Sequence, residues 1–274
     1  MTTIREVRAA ARERAAREGV SPRDVDLLLS DALGRTPVWL LAHDDEPIGD
    51  DAARAFGDAL GRRVAREPIQ YIRGRCEFYN REFLVDDRVL IPRPETELLV
   101  EKVVHAAGRG SRVVDVGAGS GCIAITLAAE RPDLRVAAVD LSPAALAVAS
   151  RNARRLGARV AFAGSDLLSS CRGVFDVIVS NPPYVAERDR ERLQREVAEW
   201  EPHSALFAGT DGMSIIERLL GEAAQSLAHG GVVAMEIGWD QGEALRVLAA
   251  AGGWQLELHP DLAGIPRIAM LRRM

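Results

Sequence analysis

Residues 175–185, FDVIVSNPPYV, place four residues that can do chemistry directly after an apolar segment. The apolar first half is typical of a strand buried on both faces of a parallel sheet. Pro182 and Pro183 lack a backbone N–H and hold φ near one value, so the strand must stop at Asn181. The loop then presents an amide, two peptide units without N–H groups and the ring of Tyr184. Such a loop can grip a planar polar group, although an incidental Pro-Pro turn explains the same residues.

A second candidate site begins at the end of a predicted strand, 112–116, with the run DVGAGSG. Its residues are Asp115, Gly117, Ala118, Gly119, Ser120 and Gly121. Glycines allow the backbone to turn tightly and to approach a ligand with no Cβ in the way. The next strand ends at Asp140, and an acidic residue there can accept hydrogen bonds from both hydroxyls of a ribose.

The third strand is followed by Asp166 and Leu167, which could accept from an adenine amino group and cover its ring. A glycine turn that serves helix packing, together with ordinary polar strand ends, would also explain these residues. The glycine-rich loop, Asp140 and the pair Asp166-Leu167 together nevertheless favour a nucleoside-bearing cofactor. The spacing G-x-G-x-G differs from the pyrophosphate-binding G-x-G-x-x-G, and the chain has no P-loop. The remaining adenosine-type ligand without a long phosphate is S-adenosylmethionine, with S-adenosylhomocysteine as its product.

The composition is that of an ordinary globular protein. Of 274 residues, 47% are hydrophobic and 27% are charged, and no run of 18 apolar residues marks a membrane span. Cys76, Cys122 and Cys171 form neither a disulfide framework nor a metal motif, and the histidines show no ligand spacing. We therefore expect a reducing, cytoplasmic location and no metal.

The balance of charge is acidic, with a net charge of −5. This balance removes the electrostatic argument for nucleic-acid binding, and we expect none. The Arg-rich start could be mistaken for an organellar transit peptide. Interleaved Glu6, Glu13 and Glu18 indicate an amphipathic helix instead.

Beyond residue 110 the sequence alternates between strand and helix patterns. Strands are predicted at 112–116, 135–139, 159–163, 174–180, 232–237, 254–258 and 267–271. Helices are predicted at 122–130, 143–156, 188–200, 214–228 and 241–251. This alternation predicts an α/β protein with a doubly wound, seven-stranded, mostly parallel sheet. Ligands bind outside the carboxyl ends of such strands, where the NPPY loop and the glycine-rich loop both lie.

Residues 3 to about 65 show helix patterns only. Their signals are the capping box of Thr3 and Glu6, the start Ser21-Pro22, the stop Gly34 and helical patterns at 37–42 and 51–64. A small all-α domain of this kind either docks a partner or simply covers the larger domain.

Between these regions, Phe78, Phe83, Val85 and 89–91 are predicted to form short strands around the turn Tyr79-Asn80. The expected division is therefore a helical domain at 1–70, a β-hairpin linker at 71–93 and the α/β domain at 94–274.

The linker ends in IPRPETE, where Pro94 starts a helix. Arg93 and Glu95 in this segment either bind the substrate or form a helix cap and a surface ion pair.

With these motifs the chain resembles the class I S-adenosylmethionine-dependent methyltransferases, and within them the release-factor glutamine N5-methyltransferases of the PrmC/HemK family. The resemblance covers roughly residues 68–267. Its motifs are PIQYIRGRCEF, VLIPRPETELLV, VVDVGAGSGCIAI, FDVIVSNPPYV, EPHSALFAGTDG, MEIGWDQG and DLAGIPR. NPPY alone is shared with amino-group methyltransferases of DNA, RNA and protein, whereas its combination with PRPETE and the helical segment is far more specific.

The resemblance implies a Rossmann-like methyltransferase fold whose small helical domain docks the substrate protein. Residues 117–121 would wrap the methionine part of the cofactor, Asp140 would hold its ribose, and Asp166 with Leu167 would border its adenine. Family members often carry an aromatic residue where Leu167 stands. The substrate amide would be bound at the cofactor by Asn181, Pro182, Pro183 and Tyr184.

The expected activity is methylation of the glutamine side-chain nitrogen (N5) in the GGQ motif of class I peptide chain release factors. Two other substrates fit the same loop, namely a glutamine of a ribosomal protein and the N6 amino group of adenine in a nucleic acid. An adenine would have to be flipped into the site, usually by a protein with a basic face or a recognition domain, and neither is evident here. A further alternative is a module that binds the cofactor without catalysis. Evidence against it is that G-x-G-x-G, Asp140 and NPPY are all intact.

Overall fold

The computed structural model describes residues 2–273. Contacts divide the chain into two compact units. The first unit holds the chain up to Gly74 together with Gln194–Trp200, and the second holds Arg75–Leu193 and the chain from Glu201 onward. Among residues 2–273, no helix is both long and apolar enough to cross a membrane.

In chain order the α-helices of the described residues are α1 (Ile4–Arg17), α2 (Pro22–Leu33), α3 (Pro37–Ala42), α4 (Asp50–Val64), α5 (Ile69–Arg73), α6 (Pro94–Ala106), α7 (Cys122–Glu130), α8 (Pro143–Leu156), α9 (Arg195–Trp200), α10 (Ser214–Ser226) and α11 (Gly242–Ala251). The strands are β1 (Arg75–Phe78), β2 (Arg81–Leu84), β3 (Arg112–Val116), β4 (Arg135–Asp140), β5 (Val160–Gly164), β6 (Phe175–Ser180), β7 (Leu227–Glu236), β8 (Trp254–Pro260) and β9 (Pro266–Arg273).

The first unit is a helical bundle whose boundaries follow the predicted signals. α1 begins after a capping box in which Thr3 N donates to the Glu6 carboxylate over 2.9 Å and Glu6 N donates to the Thr3 hydroxyl. α2 begins at Pro22 and ends at Gly34, whose φ of 62° suits glycine. Side chains of α1 to α4 share one core, including Ile4, Leu28, Leu29, Leu40 and Phe56.

The helix predicted at 188–200 is wrong. The chain forms a 3-10 turn at Glu187–Arg192, becomes extended at Leu193, and then forms α9. The two pieces belong to different units, and α9 joins the helical bundle, where Glu196 pairs with Arg63 at 3.2 Å and with Arg66 at 3.1 Å. Sequence periodicity misses this break because it reports local pattern and not the packing partner.

The second unit contains the predicted sheet, in the order β5-β4-β3-β6-β7-β9-β8. β3 to β7 are parallel, and β9 runs antiparallel to both β7 and β8. β7 begins at Leu227, inside the helix predicted to reach 228, because Leu227 pairs with Phe175 across a bulge. The doubly wound, seven-stranded, mostly parallel fold is thereby confirmed.

Both faces of this sheet are covered by helices. Alternate residues of β3 point to opposite faces, so Val113 packs with α6 and α7 while Val114 packs with α10 and α11. The carboxyl ends of β3, β4, β6 and β7 therefore meet at one edge, which is where open α/β sheets bind ligands.

A two-stranded hairpin of β1 and β2 precedes this sheet. Tyr79 and Asn80 take φ values of 50° and 56°, as the predicted tight turn requires. The strand predicted at 89–91 is wrong. Ile91 N donates instead to the carboxylate of Glu201 at 3.2 Å, so a side chain replaces a neighbouring strand.

Candidate active site

A cavity of about 240 Å³ opens at the carboxyl edge of the sheet. Many of the predicted site residues line it, namely Arg93, Gly117, Ala118, Gly119, Ser120, Asp140, Asp166, Leu167, Asn181 and Pro183. The other predicted residues, Asp115, Gly121, Pro182, Tyr184 and Glu95, lie outside the lining. The fold thus brings the two loops found in the sequence to one cavity.

The glycine-rich loop joins β3 to α7 and exposes its backbone to the cavity. Gly117 and Gly119 have φ values of 83° and 53°, and a Cβ added at either would enter open space. Gly121 has φ of 81° and serves packing instead, because an added Cβ would lie 2.8 Å from Ile125 Cδ1. The first two glycines leave room for a ligand and the third lets α7 approach its neighbours.

Asp140, at the end of β4, holds this loop. Its Oδ2 accepts from Gly119 N and its Oδ1 accepts from Ser142 N, each over 2.8 Å. A carboxylate oxygen can accept two hydrogen bonds. Each oxygen therefore keeps acceptor capacity for a hydroxyl in the cavity.

Asp115 lies beneath the loop and is completely buried. Its Oδ2 accepts from Ala124 N over 3.2 Å, while Oδ1 has no hydrogen-bond partner among residues 2–273. Burial raises the pKa of this carboxyl to about 8, with the charge of Asp140 adding to the effect. A buried acceptor without a donor fits a ligand that brings a cationic or N–H group to this loop.

The loop after β5 forms another part of the lining. Leu167 takes φ of 49°, which is rare for a residue with a Cβ, and it faces the cavity beside Asp166. Arg218 donates to Asp166 Oδ2 over 2.8 Å, and the Glu222 carboxylate accepts from Leu168 N over 2.9 Å. Both contacts hold Leu167 in place from α10.

The NPPY loop is tied to two polar residues that the sequence reasoning missed. Asn181 Nδ2 donates to Thr96 Oγ1 over 3.1 Å, and Thr96 donates to Glu236 Oε2 over 2.6 Å. The Tyr184 hydroxyl donates to the other oxygen of Glu236 over 3.2 Å. The sequence did contain a signal for Glu236, which ends an apolar strand as Asp140 does. Thr96 gave only a weak signal within PRPETE.

Burial and nearby charge shift the pKa values of Glu236 and Tyr184. Thr96 and Glu236 are each 2% exposed. Burial raises the pKa of Glu236, against the opposing effect of the two hydroxyl donors. Burial, together with the nearby Glu236 carboxyl, also raises the pKa of Tyr184. Tyr184 is therefore a neutral hydrogen-bond donor at ordinary pH.

The exit of the NPPY loop is fixed by backbone contacts. Gln241 Nε2 donates to the carbonyl oxygens of Tyr184 and Gly212, over 3.2 and 3.0 Å. A Cβ at Gly212 would collide with the Tyr184 carbonyl oxygen, so only glycine fits there. The loop is therefore held by hydrogen bonds on both sides, through Asn181 and through the Tyr184 carbonyl.

Arg93 lines the cavity and pairs with Glu201 over 2.5 Å. The Glu201 side chain is 1% exposed and also accepts from Ile91 N. This pairing holds the IPRPE segment against the segment that begins at Glu201. Glu95 is exposed. The substrate roles of Arg93 and Glu95 stay predictions.

The sheet order, the glycine-rich loop after β3 and the NPPY loop after β6 define the class of doubly wound α/β methyltransferases. Residues 94–199 match the model of the Methyltransferase small domain, and residues 6–74 match that of the PrmC N-terminal domain. A methyltransferase from Pyrococcus furiosus has the same fold, with a TM-score of 0.54 at 19% identity over 78% of this chain and 97% of that chain.

Sequence relatives define the class more narrowly. The chain is 44% identical to the release factor glutamine methyltransferase of Koribacter versatilis, over 100% of this chain and 99% of that protein. It is 43% identical to that of Bordetella pertussis, over 92% and 94% of the two chains. The chain belongs to the family of release factor glutamine methyltransferases, which confirms the resemblance that the motifs indicated.

Proposed function

We propose that this protein transfers a methyl group from S-adenosylmethionine to the side-chain nitrogen of the glutamine in the GGQ loop of class I release factors. The observation that carries the proposal is the Asn181 amide. Its NH2 group donates to Thr96 Oγ1, so its oxygen is the end that remains for an N–H donor at the cavity. Membership of the family supplies the class of substrate.

The cofactor end of the cavity is formed by the glycine-rich loop and the strand ends. Asp115 would accept from the methionine amino group, residues 117–121 would surround the methionine part, and Asp140 would accept from the ribose hydroxyls. Asp166 and Leu167 would border the adenine. When bound, S-adenosylmethionine supplies an electrophilic methyl group on a sulfonium.

At the substrate end, Asn181 and Pro182 would orient the glutamine nitrogen that is to be methylated. A glutamine side-chain nitrogen is a poor nucleophile because its lone pair is delocalised into the carbonyl. Asn181 Oδ1 and the Pro182 carbonyl can each accept one N–H of the substrate, which orients the nitrogen and stabilises the positive charge that it gains. Such positioning contributes several kcal/mol, with a ceiling of about 7–11 kcal/mol for proximity effects.

Proton transfer needs no strong base. The methylated nitrogen carries a positive charge, is very acidic, and loses its proton late to solvent. Tyr184 contributes its ring, which can pack on the amide plane and exclude water, and its hydroxyl is already committed to Glu236.

The proposed partner is a protein and not a nucleic acid, in keeping with the net charge of −5. The helical domain at 1–70 is proposed to dock the release factor, and the cytoplasm, where release factors act, is the proposed location. The residues at 71–93 and 94–274 are proposed as linker and methyltransferase domain.

Incubation with methyl-labelled cofactor and a purified class I release factor tests the proposal. We expect label on the wild-type factor and none on a factor whose GGQ glutamine is replaced by alanine. Label on both factors, or on neither, would contradict it. Parallel reactions with ribosomal proteins and with adenine-containing DNA and RNA test the two alternative substrates.

A further inference from the structure

The catalytic loop is anchored to the sheet through one buried carboxyl group. Glu236, at the end of β7, accepts from Thr96 through one oxygen and from Tyr184 through the other, and Thr96 accepts from Asn181. We propose that Glu236 and Thr96 are positioning residues that fix which end of the Asn181 amide faces the substrate. This inference rests on the proposed function of the site.

The orientation of the Asn181 amide follows from the single proton that the Thr96 hydroxyl can donate. A threonine hydroxyl has a single proton to donate. Because Thr96 donates it to Glu236 over 2.6 Å, Thr96 Oγ1 can only accept from Asn181. Asn181 must then turn its NH2 group toward Thr96 and its oxygen toward the cavity. Both oxygens of Glu236 accept from hydroxyl groups, Oε2 from Thr96 and Oε1 from Tyr184, so in this arrangement the carboxyl group gives Thr96 no proton.

The opposite orientation would block the reaction. With its NH2 group in the cavity, Asn181 would place an N–H donor against the N–H groups of the substrate amide. The nitrogen to be methylated would lose an acceptor that orients it. Thr96 therefore acts on the reaction through Asn181, whose amide it orients.

Glu236 also holds Tyr184, the other side chain that is proposed to contact the substrate. Its other oxygen fixes the Tyr184 hydroxyl, so a single strand end positions both the amide and the aromatic ring. The carboxyl and Thr96 are each 2% exposed, which leaves little access for water to replace either bond. Loss of either group leaves buried partners unsatisfied and the loop free to reorient.

Thr96→Val tests the proposal with a matched control. The change removes the hydroxyl at nearly constant volume. Thr126→Val is the same change at a fully buried helical position, on α7, outside the cavity lining. We expect Thr96→Val to lower kcat for the release factor by about 10- to 100-fold, as for other residues that orient a catalytic group, with the Kd of S-adenosylmethionine unchanged.

Thr96→Ser restores the hydroxyl and should recover most of the lost kcat. Glu236→Gln should lower kcat as Thr96→Val does, because its amide offers only one acceptor oxygen for two hydroxyls. Wild-type turnover in Thr96→Val would overturn the proposal. An equal loss of turnover in Thr126→Val would overturn it as well.

A second measurement does not depend on the substrate. The side-chain NH2 resonances of Asn181, assigned by their loss in Asn181→Ala, should exchange slowly with solvent in the wild type and in Thr126→Val, and faster in Thr96→Val. Equal exchange in all three proteins would overturn the positioning role. If the wild type labels no release factor, the proposed function fails, and this measurement still decides the role of Thr96.

Discussion

Gly119 N lies 2.8 Å from Asp140 Oδ2 and donates to it, so the carboxylate at the end of β4 holds the loop that follows β3. The same side chain accepts from Ser142 N at the start of α8. Asp140 therefore shapes the glycine-rich loop, at the end of the cavity that is proposed to bind the cofactor.

Asp140→Asn should weaken cofactor binding. The new side chain has one acceptor oxygen, so Gly119 N or Ser142 N must face its NH2 group. We expect a loss of about 1–3 kcal/mol, or about 5- to 150-fold in Kd, by isothermal titration with S-adenosylmethionine. Asp133→Asn is the control, because Asp133 also accepts from a backbone N–H, that of Gly110, but lies outside the cavity lining. Equal affinities for Asp140→Asn and the wild type would contradict the assignment.

Gly119→Ala should separate backbone strain from cofactor binding. Gly119 has φ of 53°, and an alanine in this region costs about 1–2 kcal/mol of stability. Gly157→Ala, at φ of 66° after α8, carries the same strain away from the cavity. Urea unfolding should show similar losses for both variants. Titration should show weaker cofactor binding for Gly119→Ala only, and comparable binding by both would count against the loop as the cofactor site.

Asp115 should make stability depend on pH. Its pKa rises from an ordinary value of 3.8 to about 8 on folding, so between these values the native state holds a proton that the unfolded state has released. The unfolding free energy of the wild type should therefore fall relative to Asp115→Asn as pH rises through this window, by about 1.4 kcal/mol per pH unit.

Urea unfolding of both proteins at pH 5, 6, 7 and 8 measures the difference. Asp115→Asn should gain stability relative to the wild type at each step. A difference that stays constant with pH would contradict the raised pKa of Asp115.

Arg93→Ala should destabilise the second unit through Glu201. The Glu201 carboxylate would remain buried, with Ile91 N as its donor but without its cation. We expect a loss of about 1–3 kcal/mol in urea unfolding, less than for a fully buried pair because Arg93 is 30% exposed.

Two further variants complete this test. Arg93→Ala combined with Glu201→Gln should recover part of the loss, since no buried charge remains. Arg88→Ala removes an Arg with a more exposed partner, Asp86, from the same segment and should change stability little. Equal losses in Arg88→Ala and Arg93→Ala would argue against the buried pair.

The sequence by itself determined the order of elements and the identity of both loops. Apolar runs that stop at Asp140 or at Asn181 mark strand ends, because period and chain-breaking residues are local properties. The helix at 188–200 and the strand at 89–91 were wrong for the converse reason. The helix breaks because α9 belongs to the first unit. The strand does not form because Ile91 N bonds to Glu201, which lies 110 residues along the chain from Ile91.

Only the tertiary structure decided how the NPPY loop is held. Thr96, Asn181 and Glu236 are far apart in the sequence, and no spacing rule joins a helix start, a loop and the end of a later strand. They meet because parallel strands bring their carboxyl ends to one edge and α6 packs against that edge. The sequence identified the Asn181 amide as a candidate substrate contact, and the fold decided that the NH2 end of this amide donates to Thr96.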